Sequence, residues 1–113
     1  IGIKDCKNIK PVYPYALDNS SYWLFSIKSK YRDELINFMK LKNISTAVHF
    51  VPLPLNKIYK KYNKNLKNAM KVWKDIVSLP FFPDLENKKI NYIINCLNQF
   101  DKKINNFKNY ENI

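Results

Sequence analysis

The chain has 113 residues, a mass of 13.5 kDa and a formal net charge of +11. That length fits one domain, residues 1–113, and 46% hydrophobic with 15% aromatic residues fills a core without disulfides or metal, so a wholly disordered chain is excluded. No apolar run approaches the roughly 18 residues a membrane helix needs, and one His with two widely spaced cysteines, Cys6 and Cys96, makes no zinc or redox motif.

Residues 1–19 carry Pro11 and Pro14 and read as an extended or loop lead-in. Within them, 9–15 can form a short piece that proline confines to a sheet edge. Residues 21–28, SYWLFSIK, alternate: Trp23, Phe25 and Ile27 fall on one face, Tyr22, Leu24 and Ser26 on the other. This predicts a strand. Ser29 can cap the helix that follows. Residues 30–42 have helical apolar spacing, with Asp33 and Glu34 early and Lys40 and Lys42 late, as the helix dipole prefers. Asn43 stands where a left-handed residue ends a helix. Residues 44–51, ISTAVHFV, alternate again and predict a second strand, stopped by Pro52 and Pro54.

Residues 55–75 predict helix in two pieces, broken at 63–65. Ile58, Tyr59 and Tyr62 cluster in the first piece; Leu66, Ala69, Met70 and Trp73 cluster in the second. Residues 76–82, IVSLPFF, predict a short buried strand. Residues 87–107 predict the last helix, with a stripe from Ile90 through Ile93, Leu97 and Phe100 to Phe107. Residues 108–113 are expected to fray. The predicted fold is α+β: a small three- or four-stranded sheet with helices mainly on one face. Trp23, Phe25, Phe38, Trp73, Phe81, Ile93 and Leu97 are assigned to the core.

A basic chain invites a nucleic-acid reading. Nineteen of its twenty basic residues are Lys, spread along the chain, and only Arg32 is Arg, the residue that reads guanine and phosphate bidentately. Lys, Asn, Ile and Tyr share A/T-rich codons, so nucleic acid is not the first choice. The densest run, 57–74, reads as a solvated helix face or as a basic rim for an anion such as a nucleotide diphosphate.

Three segments occur in a telling order. They are SYW at 21–23 with RDEL at 32–35, then ISTAVHFVPL at 44–53 followed by Tyr59, then VSLPFFPDL at 77–85. Together they resemble the C-terminal part of the DegT/DnrJ/EryC1/StrS aminotransferases. In that family a "GI-x-T-x-VHY-x-PLH" segment and an "SLP-x-x-P-x-L" segment bracket a helical excursion. The resemblance covers about residues 20–100. Pro54 stands where the second His of that pattern would be, and Met70 follows Ala69 where an acidic residue is usual.

The resemblance implies a PLP-dependent enzyme that aminates a keto sugar carried by a nucleotide, in amino-sugar and surface-polysaccharide synthesis. It implies a homodimer with the fold-type-I architecture. This chain would be the C-terminal small domain, closing the cleft and shaping the sugar pocket. The Schiff-base lysine and phosphate cup would lie in a preceding large domain. This chain has no Gly-rich cradle, Gly2 being its only glycine, so none of its lysines is expected to hold PLP. The chain alone should bind no cofactor and be inactive. Ile1 is not Met and no signal-peptide pattern is present, so the expected setting is a cytoplasmic protein lacking its front, without membrane partners.

His49, the only His, matches the family's "VH[YF]" position and is expected to hydrogen-bond the sugar or diphosphate without abstracting a proton. Tyr59 matches a family tyrosine and is the second candidate substrate contact, the alternative being that it simply packs, the commoner fate of a tyrosine. No catalytic residue and no metal ligand is assigned. A Ser45–His49–Asp75 triad is the kind of triple that arises by chance, and Cys96 reads as a packed thiol, not a partner of His49. Two other classes compete: a stand-alone interaction module, and a basic nucleic-acid binder whose affinity would fall steeply with salt.

Overall fold

The computed structural model describes residues 2–12, 22–62 and 66–111. Strands β1 (Lys10–Pro11), β2 (Phe25–Lys28) and β3 (Ile76–Leu79) form an antiparallel sheet in the order β1-β2-β3. Helices α1 (Arg32–Leu41), α2 (Lys67–Asp75) and α3 (Asn87–Glu111) complete the α+β architecture, with 3-10 turns at Leu53–Leu55 and Lys57–Tyr62. The predicted break at 63–65 lies outside the described residues, as do residues 13–15 of the predicted 9–15 edge piece.

The register β2–β3 places Phe25 opposite Leu79, Ser26 opposite Ser78 and Ile27 opposite Val77. Side chains alternate across a sheet. Phe25, Ile27, Val77 and Leu79 therefore share the face that meets α1 and α3. There they join Leu35 and Met39 of α1, and Ile93, Cys96, Leu97 and Phe100 of α3. The Phe38 and Phe100 rings close the seam between the two helices at 5.5 Å. Ser26 and Ser78 fall on the other face.

The ends of α1 follow its sequence. Ser29 Oγ accepts the Tyr31 N–H at 3.1 Å, just ahead of the first helical residue, and does not reach the first turn. Asn43 takes φ 57°, the left-handed conformation expected of it, and the Ile44 N–H returns to the Met39 carbonyl at 2.9 Å. Arg32 reaches across to α2. Its Nη1 donates to the Trp73 carbonyl at 2.9 Å, satisfying a C-terminal helix carbonyl, and its guanidinium lies 5.3 Å from the Trp73 ring centroid.

Two expectations need correction. Residues 44–51 are not a strand: only Ala47 pairs, with Ser78 on the free edge of β3, before the chain leaves for Pro52. Trp23 and Phe81 are not core residues, being 75% and 47% exposed. Trp23 precedes the first paired residue of β2, and Phe81 follows Pro80, where β3 has ended. Phe25 and Phe38 border the core, and Trp73 is half-buried under Arg32. Helix α3 continues to Glu111. Lys108 holds its last turns, donating to Asn8 Oδ1 at 2.6 Å and lying 5.1 Å from the Tyr31 ring.

The lead-in supplies core: Ile3, Cys6 and Ile9 are buried. Asp101 of α3 fastens this segment. Its carboxylate accepts the backbone N–H groups of Lys7 at 3.0 Å and Asn8 at 2.7 Å, and the side-chain amides of Asn8 and Asn105, each at 3.1 Å. Among the described residues no helix is long and apolar enough to cross a membrane.

Candidate functional site

His49 is carried on the segment that leaves α1. Asn43 turns the chain, buried Ile44 anchors it, and Ala47 ties it to β3. The Ser78 N–H donates to the Ala47 carbonyl at 2.7 Å, and the Ala47 N–H to the Ser78 carbonyl at 3.1 Å. Two residues on, the half-buried His49 ring comes to 3.3 Å from Ser78 Oγ through Nδ1. Ser78 Oγ is in turn 3.0 Å from Ser26 Oγ, its cross-strand neighbour.

The imidazole borders a groove of about 320 Å³. Phe50 and Leu53 flank it on its own segment, Val72 and Trp73 face it from α2, and Ile76 of β3 closes the end. The groove is apolar apart from two N–H-bearing rings. Trp73 Nε1 is buried and has no hydrogen-bond partner among the described residues. The pairing of an apolar wall with few polar groups is what a small-molecule site requires.

Two other cavities offer less chemistry. One of about 480 Å³ between α1 and α3 is bordered by Lys103 and Lys108, whose ammonium groups lie over Phe107 and Tyr31. One of about 230 Å³ among Ile3, Phe25, Leu85 and Ile90 is almost wholly hydrocarbon.

The structure places the two expected contact residues apart. His49 borders the groove; Tyr59 stands on the 3-10 turn Lys57–Tyr62, 41% exposed, and is not among the groove's lining residues. Ser45 is exposed, and the hydroxyl that His49 meets belongs to Ser78, so no Ser45–His49–Asp75 arrangement forms. Cys96 is buried in the core, as a packed thiol should be. Sequence reasoning missed Ser26 and Ser78. The signal was present: pairing FSIK against IVSL antiparallel sets the two serines opposite each other. Among the described residues no group of three or more His, Cys, Asp or Glu could hold a metal.

Comparison with known proteins adds four findings. Residues 2–98 match the model of the DegT/DnrJ/EryC1/StrS aminotransferase family. GDP-perosamine synthase of Escherichia coli O157:H7 is 34% identical over 84 residues, which cover 71% of this chain and 23% of that protein. The dTDP-4-amino-4,6-dideoxy-D-glucose transaminase of Shigella dysenteriae is 28% identical over 105 residues, 86% of this chain and 29% of that protein. Among solved structures, a DegT DnrJ EryC1 StrS aminotransferase from Brucella abortus superposes with a TM-score of 0.76 at 28% identity, covering 88% of this chain and 27% of that one. The chain thus spans less than a third of the length of these relatives.

Proposed function

The chain belongs to the DegT/DnrJ/EryC1/StrS aminotransferase family, and on that premise we propose that it is the C-terminal small domain of a PLP-dependent enzyme that aminates a nucleotide-linked keto sugar. In this reading it serves amino-sugar or surface-polysaccharide synthesis in the cytoplasm. It closes the active-site cleft, and His49 and Tyr59 help shape the sugar pocket, His49 from the groove.

One observation carries the reading. The two segments on which the resemblance rests, VHFVPL and SLPFFPDL, are joined in space by the Ala47–Ser78 bridge, and the His of the first sits on the Ser of the second. The surroundings of the groove support it too. Trp23 and Phe50 are exposed, their rings 6.4 Å apart, with Leu53 and Leu66 exposed nearby in sequence and groove. Apolar surface of that extent calls for a cover, which the reading supplies as an N-terminal large domain and the dimer it forms.

The residues here do not suit PLP itself. No lysine lines the groove, and the described lysines are exposed except for half-buried Lys42. A Schiff-base lysine needs desolvation or a cationic neighbour, together with an anion cradle. The cofactor, its lysine and the amino-group chemistry are therefore assigned to the large domain, and the chain alone to inactivity.

The test is reconstitution. The chain joined to a large domain should convert a nucleotide-linked 4-keto sugar in the presence of PLP and glutamate. His49→Ala should raise KM for the sugar while leaving the glutamate half-reaction unchanged. A stoichiometric, borohydride-reducible PLP adduct on the isolated chain would overturn the assignment. An immunoblot of source cells showing the chain at its own size, and not several-fold larger, would favour an interaction module, which would use the same exposed surface.

A further inference from the structure

Which hydrogen lies between His49 and Ser78 can be settled by counting. The 3.3 Å contact allows Nδ1 either to donate or to accept. Ser78 and Ser26 are 4% and 7% exposed. Among the described residues, Ser26 Oγ has no hydrogen-bond partner but Ser78 Oγ, and Ser78 Oγ has only Ser26 and His49. Two hydroxyl hydrogens and one ring nitrogen must be satisfied in that enclosure.

Suppose Nδ1 carries the proton and donates to Ser78 Oγ. One serine can then donate to the other, but the second hydroxyl hydrogen is buried with no acceptor. Such an orphan disfavours that arrangement by roughly fivefold, the worth of one net hydrogen bond. Suppose instead that Nδ1 is bare. Ser26 O–H donates to Ser78 Oγ, Ser78 O–H donates to Nδ1, and no hydrogen is stranded. The proton of the neutral ring then sits on Nε2.

We infer that Ser78, oriented by Ser26, is a positioning residue that holds His49 as its Nε2–H tautomer, so that the ring offers the groove an N–H donor and not a base. The site is thereby set up for oxygen acceptors of its ligand, the sugar and phosphate oxygens of the proposed substrate. This rests on the groove being the substrate site, but the tautomer itself is a property of the chain.

Because His49 is the only His, its two ring 15N resonances can be read without assignment. The experiment uses the 113-residue chain labelled at histidine, with the ring neutral, folded and in urea. In the folded chain Nδ1 should resonate as a bare nitrogen and Nε2 as a protonated one. The Nε2–H to Nδ1–H ratio should exceed that of the urea-unfolded chain by roughly fivefold, the factor one net hydrogen bond supplies.

Ser78→Ala should remove that excess, and Ser78→Thr should restore it. Ser26→Ala leaves the Ser78 hydroxyl free to donate to Nδ1, so it should cost stability yet keep the ratio within about twofold of wild type. A folded chain whose ratio equals the unfolded one, or a Ser78→Ala variant with an intact fold and an unchanged ratio, would overturn the inference. If Ser78→Ala does not fold, the folded-to-unfolded comparison decides alone. Failure here would leave the aminotransferase reading standing, and failure of reconstitution would leave the tautomer standing.

Discussion

Ala47 and Ser78 exchange both backbone hydrogen bonds, at 2.7 and 3.1 Å, and this one bridge joins the His49 segment to the sheet. A full strand would distribute that attachment over several residues; here Ala47 bears it. Ala47→Pro removes the donor to the Ser78 carbonyl. We expect a loss of roughly 1–3 kcal/mol, the cost of a buried group left unpaired, read as a lower urea midpoint. His49 should also lose its contact with Ser78, so its ring resonances should approach those of the unfolded chain. An unchanged midpoint would show that the segment is held elsewhere.

Asp101 links stability to pH. Burial alone would raise its carboxyl, but the backbone N–H groups of Asn8 and Lys7, and then the amides of Asn8 and Asn105, outweigh burial and hold it below the ordinary value. A carboxylate depressed in the folded state adds stability above its unfolded pKa, about 3.9, and that stability is lost as pH falls through the folded value. Asp101→Ala should cost roughly 2–3 kcal/mol near neutral pH. The gap to wild type should narrow once the pH drops below about 4, as followed by urea unfolding across pH. A gap that stays constant down to strong acid would rule out the linkage.

Leu97 and Leu41 form a contrast of burial within the two helices that cover the sheet. Leu97 is 1% exposed and Leu41 83%. Leu97→Ala should cost about 2–5 kcal/mol through lost burial and a cavity, whereas Leu41→Ala should stay within about 0.5 kcal/mol. Equal effects in thermal unfolding would mean that Leu41 is covered in solution, for example by a second copy of the chain.

What the sequence disclosed and what it hid follow one division. Local periodicity marked β2, β3 and all three helices, because the 2.0 and 3.6 repeats of their apolar residues are set by neighbours within a turn or two. The family resemblance, not periodicity, singled out His49, which borders the groove. Periodicity could not mark Ile3, Cys6 and Ile9, because their burial depends on Asp101, more than ninety positions away. Alternation at 44–51 promised a strand, but alternation says only that a segment is extended; whether it pairs depends on how much of β3's edge is left to it. Trp23 and Phe81 read as core because they are large and apolar. That inference fails here because Trp23 lies before the first paired residue of β2 and Phe81 after the last of β3.

Trp23 and Phe50 carry the last prediction. Their rings lie 6.4 Å apart with 75% and 67% of each residue exposed. Neither buries enough in this chain to stabilise it much. Trp23→Ala should therefore shift stability by less than about 0.5 kcal/mol. Under the proposed function the same pair is an aromatic anchor against the large domain, and interface tryptophans that act as anchors cost about 2 kcal/mol or more on truncation, roughly thirtyfold in affinity. Binding of the chain to a separately produced large domain, followed by Trp fluorescence or calorimetry, should weaken by that factor in Trp23→Ala, and comparably in Phe50→Ala. If both variants bind as wild type does, the domain closes over another face. The groove at His49 would then open to solvent in the assembled enzyme and could not be where the sugar is held.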